Sequence, residues 1–288
     1  SFRKNMQMDQ KKIDALLAQS LSDVQESRVK EAMTYTLLAP GKRIRPLLLF
    51  AVLDGYDQAK EKGIALACAL EMIHAYSLIH DDLPAMDNDD FRRGRPTCHK
   101  RFDEATAILA GDGLLTQAFH IASKAPLPAP ELLKCMQVLS EMAGPNGMVY
   151  GQCLDMAENA SYDWEMLQKV HHCKTGCLLA APFMIGAILS TQKEEIVQKW
   201  KQIGMQTGLA FQIQDDLLDK TKSAADLGKS NSDIRNHKVT SVSLCGLANA
   251  KKQMQQLYDK SYRQIREISY FAPESLFTLM KMIQNRDR

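Results

Sequence analysis

Two tight groups of aspartates are the residues best placed to do chemistry: Asp81-Asp82-Leu-Pro-Ala-Met-Asp87 and Asp215-Asp216-Leu-Leu-Asp219. Each stands in apolar sequence rather than in a charged surface stretch. Like charges four residues apart cost a helix about 0.2–0.5 kcal/mol, so an opposing cation is favoured. Mg²⁺ takes carboxylate oxygens and completes its shell with substrate phosphates. Either group alone would more simply be a solvated acidic helix end. Two such groups, each at the end of an apolar helix, point to metal ions clamping a phosphorylated substrate. Asp215 and Asp219 share one helix face and can share a cation. Pro84 marks a break just after Asp82, and that break could fold Asp87 back towards Asp81.

Helices must position these groups. Periodicity is helical throughout, and no run of alternating residues demands a sheet. The ten prolines leave Phe183–Tyr270 uninterrupted. Ile64–Ile79 is apolar nearly all round, as an interior helix is. Thr191-Gln-Lys-Glu194 reads as a capping box opening the helix that carries the second group. Pro273-Glu274 reads as the first turn of a final helix. Pro126-Leu-Pro-Ala-Pro130 reads as a turn between helices rather than a domain linker, and Gly228–His237 as a polar loop. The expectation is an all-α, single-domain bundle over residues 1–288, with roughly ten or more helices.

Composition narrows the class. A net charge of +2 with 24% charged residues leaves no footprint for nucleic acid. Leu178–Leu189, the longest apolar stretch, is interrupted by Pro182 and reads as too short to cross a bilayer. Ser1–Leu17 lacks the apolar core of a secretory signal. Seven cysteines without a CxxC pair read as free thiols of a cytoplasmic protein. His171-His172-Cys173-Lys-Thr-Gly-Cys177 reads as helix packing and not a zinc site, because adjacent histidines face different ways. The fifteen methionines read as core filler.

Taken together, Gly41-Lys-Arg-Ile-Arg-Pro46, His74 through Asp87, Arg92-Arg-Gly-Arg-Pro-Thr97 and Asp215-Asp-Leu-Leu-Asp219 resemble the short-chain trans-isoprenyl diphosphate synthases. The pattern is nearest that of the bacterial farnesyl diphosphate synthases, whose first aspartate motif carries two extra residues, as here. The resemblance implies an all-α bundle around a deep central cavity, usually a homodimer. It also implies a reaction: an allylic diphosphate, dimethylallyl or geranyl, ionises with the help of Mg²⁺. Isopentenyl diphosphate then attacks head to tail and a proton is lost.

By that resemblance Asp81, Asp87 and Asp215 bind Mg²⁺ (more than one ion), with Asp82, Asp216 and Asp219 completing or orienting the shell. Arg92, Lys174 and Lys238 contact the allylic diphosphate, with Lys229 closing over it and Thr175 and Gln212 nearby. Asp81, Asp82, Asp87, Lys174, Asp215 and Lys238 form the catalytic set. The second diphosphate must not ionise and so needs a metal-free pocket, assigned to Gly41, Lys42, Arg45, His74 and Arg93. Arginine's fork suits paired phosphate oxygens. Tyr76 lies five residues before Asp81, about 7.5 Å along the helix axis. In the family a bulky aromatic there stops the growing chain; Ser77 beside it obstructs little. A fifteen-carbon farnesyl product follows.

A geranylgeranyl or geranyl diphosphate synthase is the nearest alternative, followed by a non-catalytic partner subunit of a prenyl synthase. Intact aspartate groups disfavour the latter. A terpene cyclase would lack the Gly-Lys-Arg-x-Arg-Pro pocket, and a squalene-type synthase would carry DxxED groups. Asn88 departs from the family pattern, standing where an aspartate is common.

Overall fold

A computed structural model describes residues 2–157, 163–221 and 239–286, with the backbone alone for residues 2–8. The described residues are helical apart from one small hairpin, which makes the fold all-α. They form two compact units. One holds residues up to 47 and 64–126; the other holds 48–63, 127–221 and 239–286. The helix α3 (Ile44–Gly55) gives its first turn to one unit and the rest to the other.

The first unit contains α1 (Phe2–Gln19), α2 (Arg28–Leu37), α4 (Ile64–Asp82), α5 (Cys98–Arg101) and α6 (Glu104–Ser123). Side chains that accept backbone N–H groups set two of the starts: Ser27 caps α2 and Asp103 caps α6. The apolar α4 buries Leu66, Leu70, Met72 and Ile73 completely and packs against α6. Between α4 and α5, β1 (Phe91–Arg92) pairs antiparallel with β2 (Arg95–Pro96). Strands this short leave no alternating pattern to read. Their turn residues Arg93 and Gly94 both have positive φ, 50° and 74°, as a two-residue hairpin of right-twisted strands requires.

After the rest of α3 the second unit contains a 3₁₀ turn (Lys60–Gly63), followed by α7 (Ala129–Ala143), α8 (Met148–Asp155), α9 (Trp164–His171), a π turn (His172–Gly176) and α10 (Cys177–Leu189). Then come α11 (Glu194–Thr221), α12 (Ser241–Cys245), α13 (Leu247–Arg266) and α14 (Glu274–Gln284). Every residue of α10 is buried, and α10 packs on α11 and α7. Fully buried Trp200 donates to Tyr56 Oη (2.9 Å) and meets Phe183 and Phe271 ring to ring.

Two expectations change. Thr191 does not cap α11: it sits at φ 55° beyond α10, donating its N–H to Ile188, so its left-handed backbone ends one helix instead of opening the next. Pro182 does not break α10, which runs through it with every residue buried. Consequently Trp164–Leu189 forms one helical run. It and Lys60–Asp82 are long and apolar enough to cross a membrane, yet 83% and 67% of their apolar windows are buried inside the protein. Core helices have this character.

Candidate active site

The first aspartate group forms where α4 ends. Beyond Asp82 the chain doubles back: the Asp87 N–H donates to the Asp81 carbonyl (2.8 Å), and Asn88 and Asp89 donate to Leu83 and Asp82. Asp87 is thereby folded onto Asp81, and both side chains are half-buried. The turn needs φ 52° at Asn88, a left-handed value that asparagine tolerates well. Asp82 is different. Its buried carboxylate receives the Arg92 fork, Nε to Oδ2 at 2.9 Å and Nη2 to Oδ1 at 2.7 Å. Burial raises the Asp82 pKa despite that partner. Burial also opposes the Arg92 charge, but Asp82 and its acidic neighbours outweigh it and hold the guanidinium protonated.

Beside this turn lies a cationic pocket in the same unit. His74 stands two turns before Asp81 on α4. Burial, then Arg45, Arg93, Arg92 and Arg43, push its pKa well below the ordinary histidine value, so the imidazole is neutral at pH 7. Arg93 is carried on the hairpin turn and donates Nη1 to the Pro40 carbonyl (3.0 Å). A Cβ on Gly41 would stand 3.2 Å from that nitrogen, so glycine lets the strap lie against it. Lys42 is exposed, and its carbonyl accepts Gln10 Nε2 (3.0 Å). Arg43, which sequence reasoning passed over, pins the strap: Nε to Asp14 (2.7 Å), Nη1 to Glu71 (3.1 Å) and Nη2 to the Ala39 carbonyl (3.1 Å).

Tyr76 is buried in α4, its ring edge-on to His80 (5.7 Å). Burial and the nearby Asp81 charge raise its pKa, keeping the hydroxyl protonated. Ser77 is half-buried and turns its hydroxyl onto the His74 carbonyl (2.6 Å).

In the second unit α11 carries Asp215, Asp216 and Asp219. Asp215 is half-exposed and pairs with Arg286, while Asp219 is exposed. Asp216 turns inward: Oδ2 accepts the Ser241 N–H (2.8 Å) and hydroxyl (2.7 Å), and Oδ1 accepts Gln212 Nε2 (3.2 Å). His171 Nε2 lies 3.5 Å away, long for a hydrogen bond, so its influence is mainly electrostatic. Burial would raise the Asp216 pKa, but His171 and Ser241 together hold it below the usual carboxylate value.

Lys174 and Thr175 sit in the π turn, a helix irregularity frequent at functional sites. Lys174 reaches Asp155 Oδ2 at 2.5 Å, and Thr175 donates to Gln212 Oε1 at 3.2 Å. A Cβ on Gly151 would fall 2.2 Å from the Lys174 backbone nitrogen, so only glycine lets α8 press on this turn. Lys229 and Lys238 lie outside the described residues.

Sequence reasoning missed Asp155, Ser241, His171 and Arg286 as partners of site residues. Asp155 left a trace, a lone acid closing the Gly-Gln-Cys-Leu-Asp run after the required Gly151. Arg286 left none, being 71 residues from Asp215.

The chemistry of the donors suits Mg²⁺: Asp81, Asp87, Asp215 and Asp219 offer hard oxygens, with no thiolate among them. Among the described residues no three His, Cys, Asp or Glu converge tightly enough to hold a metal by themselves.

Residues 26–272 match the polyprenyl synthetase family. The farnesyl diphosphate synthase of Micrococcus luteus is 44% identical over 265 residues, covering 91% of each chain. Among solved structures, an FPP/GFPP synthase from Zymomonas mobilis superposes with a TM-score of 0.86 at 35% identity, covering 98% of both chains. The geranyltransferase of Helicobacter pylori, complexed with magnesium and isoprenyl diphosphate, gives 0.85 at 31% with the same coverage. With the match spanning most of its length, the aspartate turn and the arginine-lined pocket belong to a chain that is a member of the polyprenyl synthetase family.

Proposed function

We propose that this protein is a prenyltransferase that joins an allylic diphosphate head to tail with isopentenyl diphosphate and releases farnesyl diphosphate. The observation that carries the reading is that one helix, α4, ends in the Asp81–Asp87 turn and also carries neutral His74, which feels the charges of Arg45, Arg93, Arg92 and Arg43. Two diphosphates with different fates need two such environments.

In the reaction the allylic C1–O bond breaks and its electron pair leaves with diphosphate; the isopentenyl double bond attacks C1 and a proton departs. Mg²⁺, when bound, neutralises the charge that collects on the departing diphosphate. Asp81, Asp87 and Asp215 are the proposed ligands, with Asp219 supporting. Asp82 and Asp216, committed to Arg92 and Ser241, orient that shell. Lys174, Thr175, Gln212, Lys229 and Lys238 are proposed to hold the allylic diphosphate, and Arg92 to contact it from its place on Asp82. Fixed donors of this kind stabilise the developing charge.

Gly41, Lys42, Arg45, His74 and Arg93 are proposed to hold isopentenyl diphosphate, which keeps its C–O bond because no metal draws on it. Tyr76 is the proposed stop for the growing chain. Residues 1–288 are proposed to act as one synthase domain, cytoplasmic and homodimeric, with no membrane span and no nucleic-acid partner. Ile108 and Leu109 on α6, 44% and 54% exposed, support a homodimeric contact.

The test is incubation of the purified protein with Mg²⁺, dimethylallyl diphosphate and isopentenyl diphosphate, followed by chromatography of the prenyl alcohols. Farnesol is expected. Geranylgeraniol or geraniol as the main product replaces the product assignment, and no turnover makes the chain a non-catalytic subunit.

A further inference from the structure

Arg286 stands two residues beyond α14 and is built into the second unit although it is nearly the last residue of the chain. Its Nη2 donates to Asp215 Oδ1, and its guanidinium lies 3.9 Å over the Phe211 ring. Phe211 and Asp215 are four apart on α11, so ring and carboxylate grip the same group from one helix face. The Arg286 side chain is only 8% exposed while that of Asp215 is 41% exposed. Nε and Nη1 of Arg286 are buried with no hydrogen-bond partner among the described residues.

A buried guanidinium with idle donors costs free energy that one carboxylate offsets only in part. The end of α14 is held independently: Gln214 Nε2 donates to the Ile283 and Gln284 carbonyls, and Tyr262 donates to Gln284. Arg286 can therefore leave Asp215 without loss of the helix it follows.

We propose that Arg286 is a positioning residue, a resident counter-cation for Asp215 that Mg²⁺ displaces when the second aspartate group is loaded. In the metal-free protein it pairs with and orients the Asp215 carboxylate beside Asp216 and Asp219. Loading removes its anchor and releases the Arg286 side chain, so metal affinity and the order of the segment at Arg286 oppose one another by linkage. The inference rests on the reading of Asp215 as a magnesium ligand.

The test compares the full-length protein with Arg286→Gln, the milder Arg286→Lys and Asp215→Asn. Mn²⁺ binding is followed by electron paramagnetic resonance with inorganic pyrophosphate present, and hydrogen exchange of the C-terminal peptide is measured with and without Mg²⁺ and pyrophosphate. Arg286→Gln is expected to bind Mn²⁺ about fivefold more tightly, the equivalent of an ion pair worth about 1 kcal/mol. It should melt lower than wild type in EDTA but level with it under Mg²⁺ and pyrophosphate. Wild-type exchange at the C-terminus should quicken on loading, and Arg286→Lys should fall between.

Unchanged Mn²⁺ affinity in both arginine variants, or equal melting losses with and without metal, overturns the counter-cation role. If Asp215→Asn binds Mn²⁺ like wild type, the reading of Asp215 as a ligand fails instead, and the proposal with it.

Discussion

His74 shows how a single residue acquires its chemistry from others. Nothing in a lone histidine on an apolar helix separates a core hydrogen bond from a ligand contact. Burial and the charges of four arginines make it neutral, so in the proposed diphosphate pocket it would act as a hydrogen-bonding group and not a fifth cation. The same shift makes stability depend on pH. Because the folded-state pKa lies below the unfolded value of 6.5, the unfolded chain binds the proton first as pH falls. Stability from this group is complete above pH 6.5 and declines below it, by at most about 1.4 kcal/mol per pH unit. Urea midpoints measured from pH 7.5 to 5 should show this decline, and His74→Asn should flatten it; an unchanged slope in the variant rejects the shift. Tyr76 carries a second prediction at this scale. Tyr76→Ala removes a buried ring from α4 and should lengthen the main product from fifteen to twenty carbons. Unaltered farnesol in the chromatogram rejects Tyr76 as the stop.

At the scale of elements, two parts of the candidate site depend on local irregularities. The end of α4 turns back through left-handed Asn88, and the Lys174–Thr175 pair rides on a π turn pressed by α8. Gly151 permits that pressure. Gly151→Ala should cost about 1–3 kcal/mol of stability, as overpacking does, and lower kcat more than it raises KM for isopentenyl diphosphate. Urea unfolding and steady-state kinetics check both effects, and wild-type values in each dismiss the contact. The hydrophobic run of α4 and the i,i+4 aspartates of α11 were legible in advance because helical periodicity is written residue by residue. The π turn and the two-residue strands were not. Each arises from a neighbour's backbone or a two-residue turn, which leaves no period to detect.

At the scale of the molecule, the exposed apolar residues of α6 bear on assembly. Leu109→Asp should convert the proposed homodimer to a monomer, read by light scattering; a wild-type mass in the variant excludes this face.

Helical class, the buried α4, the two carboxylate groups and the basic strap around Gly41 are all inscribed in the order of residue types, since spacing alone puts side chains on a common face. Partner choice is not. Asp82 and Asp216 look like their neighbours in the chain, yet Arg92 and Ser241 draw both inward, while Arg286 takes hold of Asp215. Those outcomes belong to tertiary structure. A carboxylate's protonation, orientation and freedom to bind metal depend on donors within hydrogen-bonding reach, and folding brings those donors from ten to seventy-one residues away.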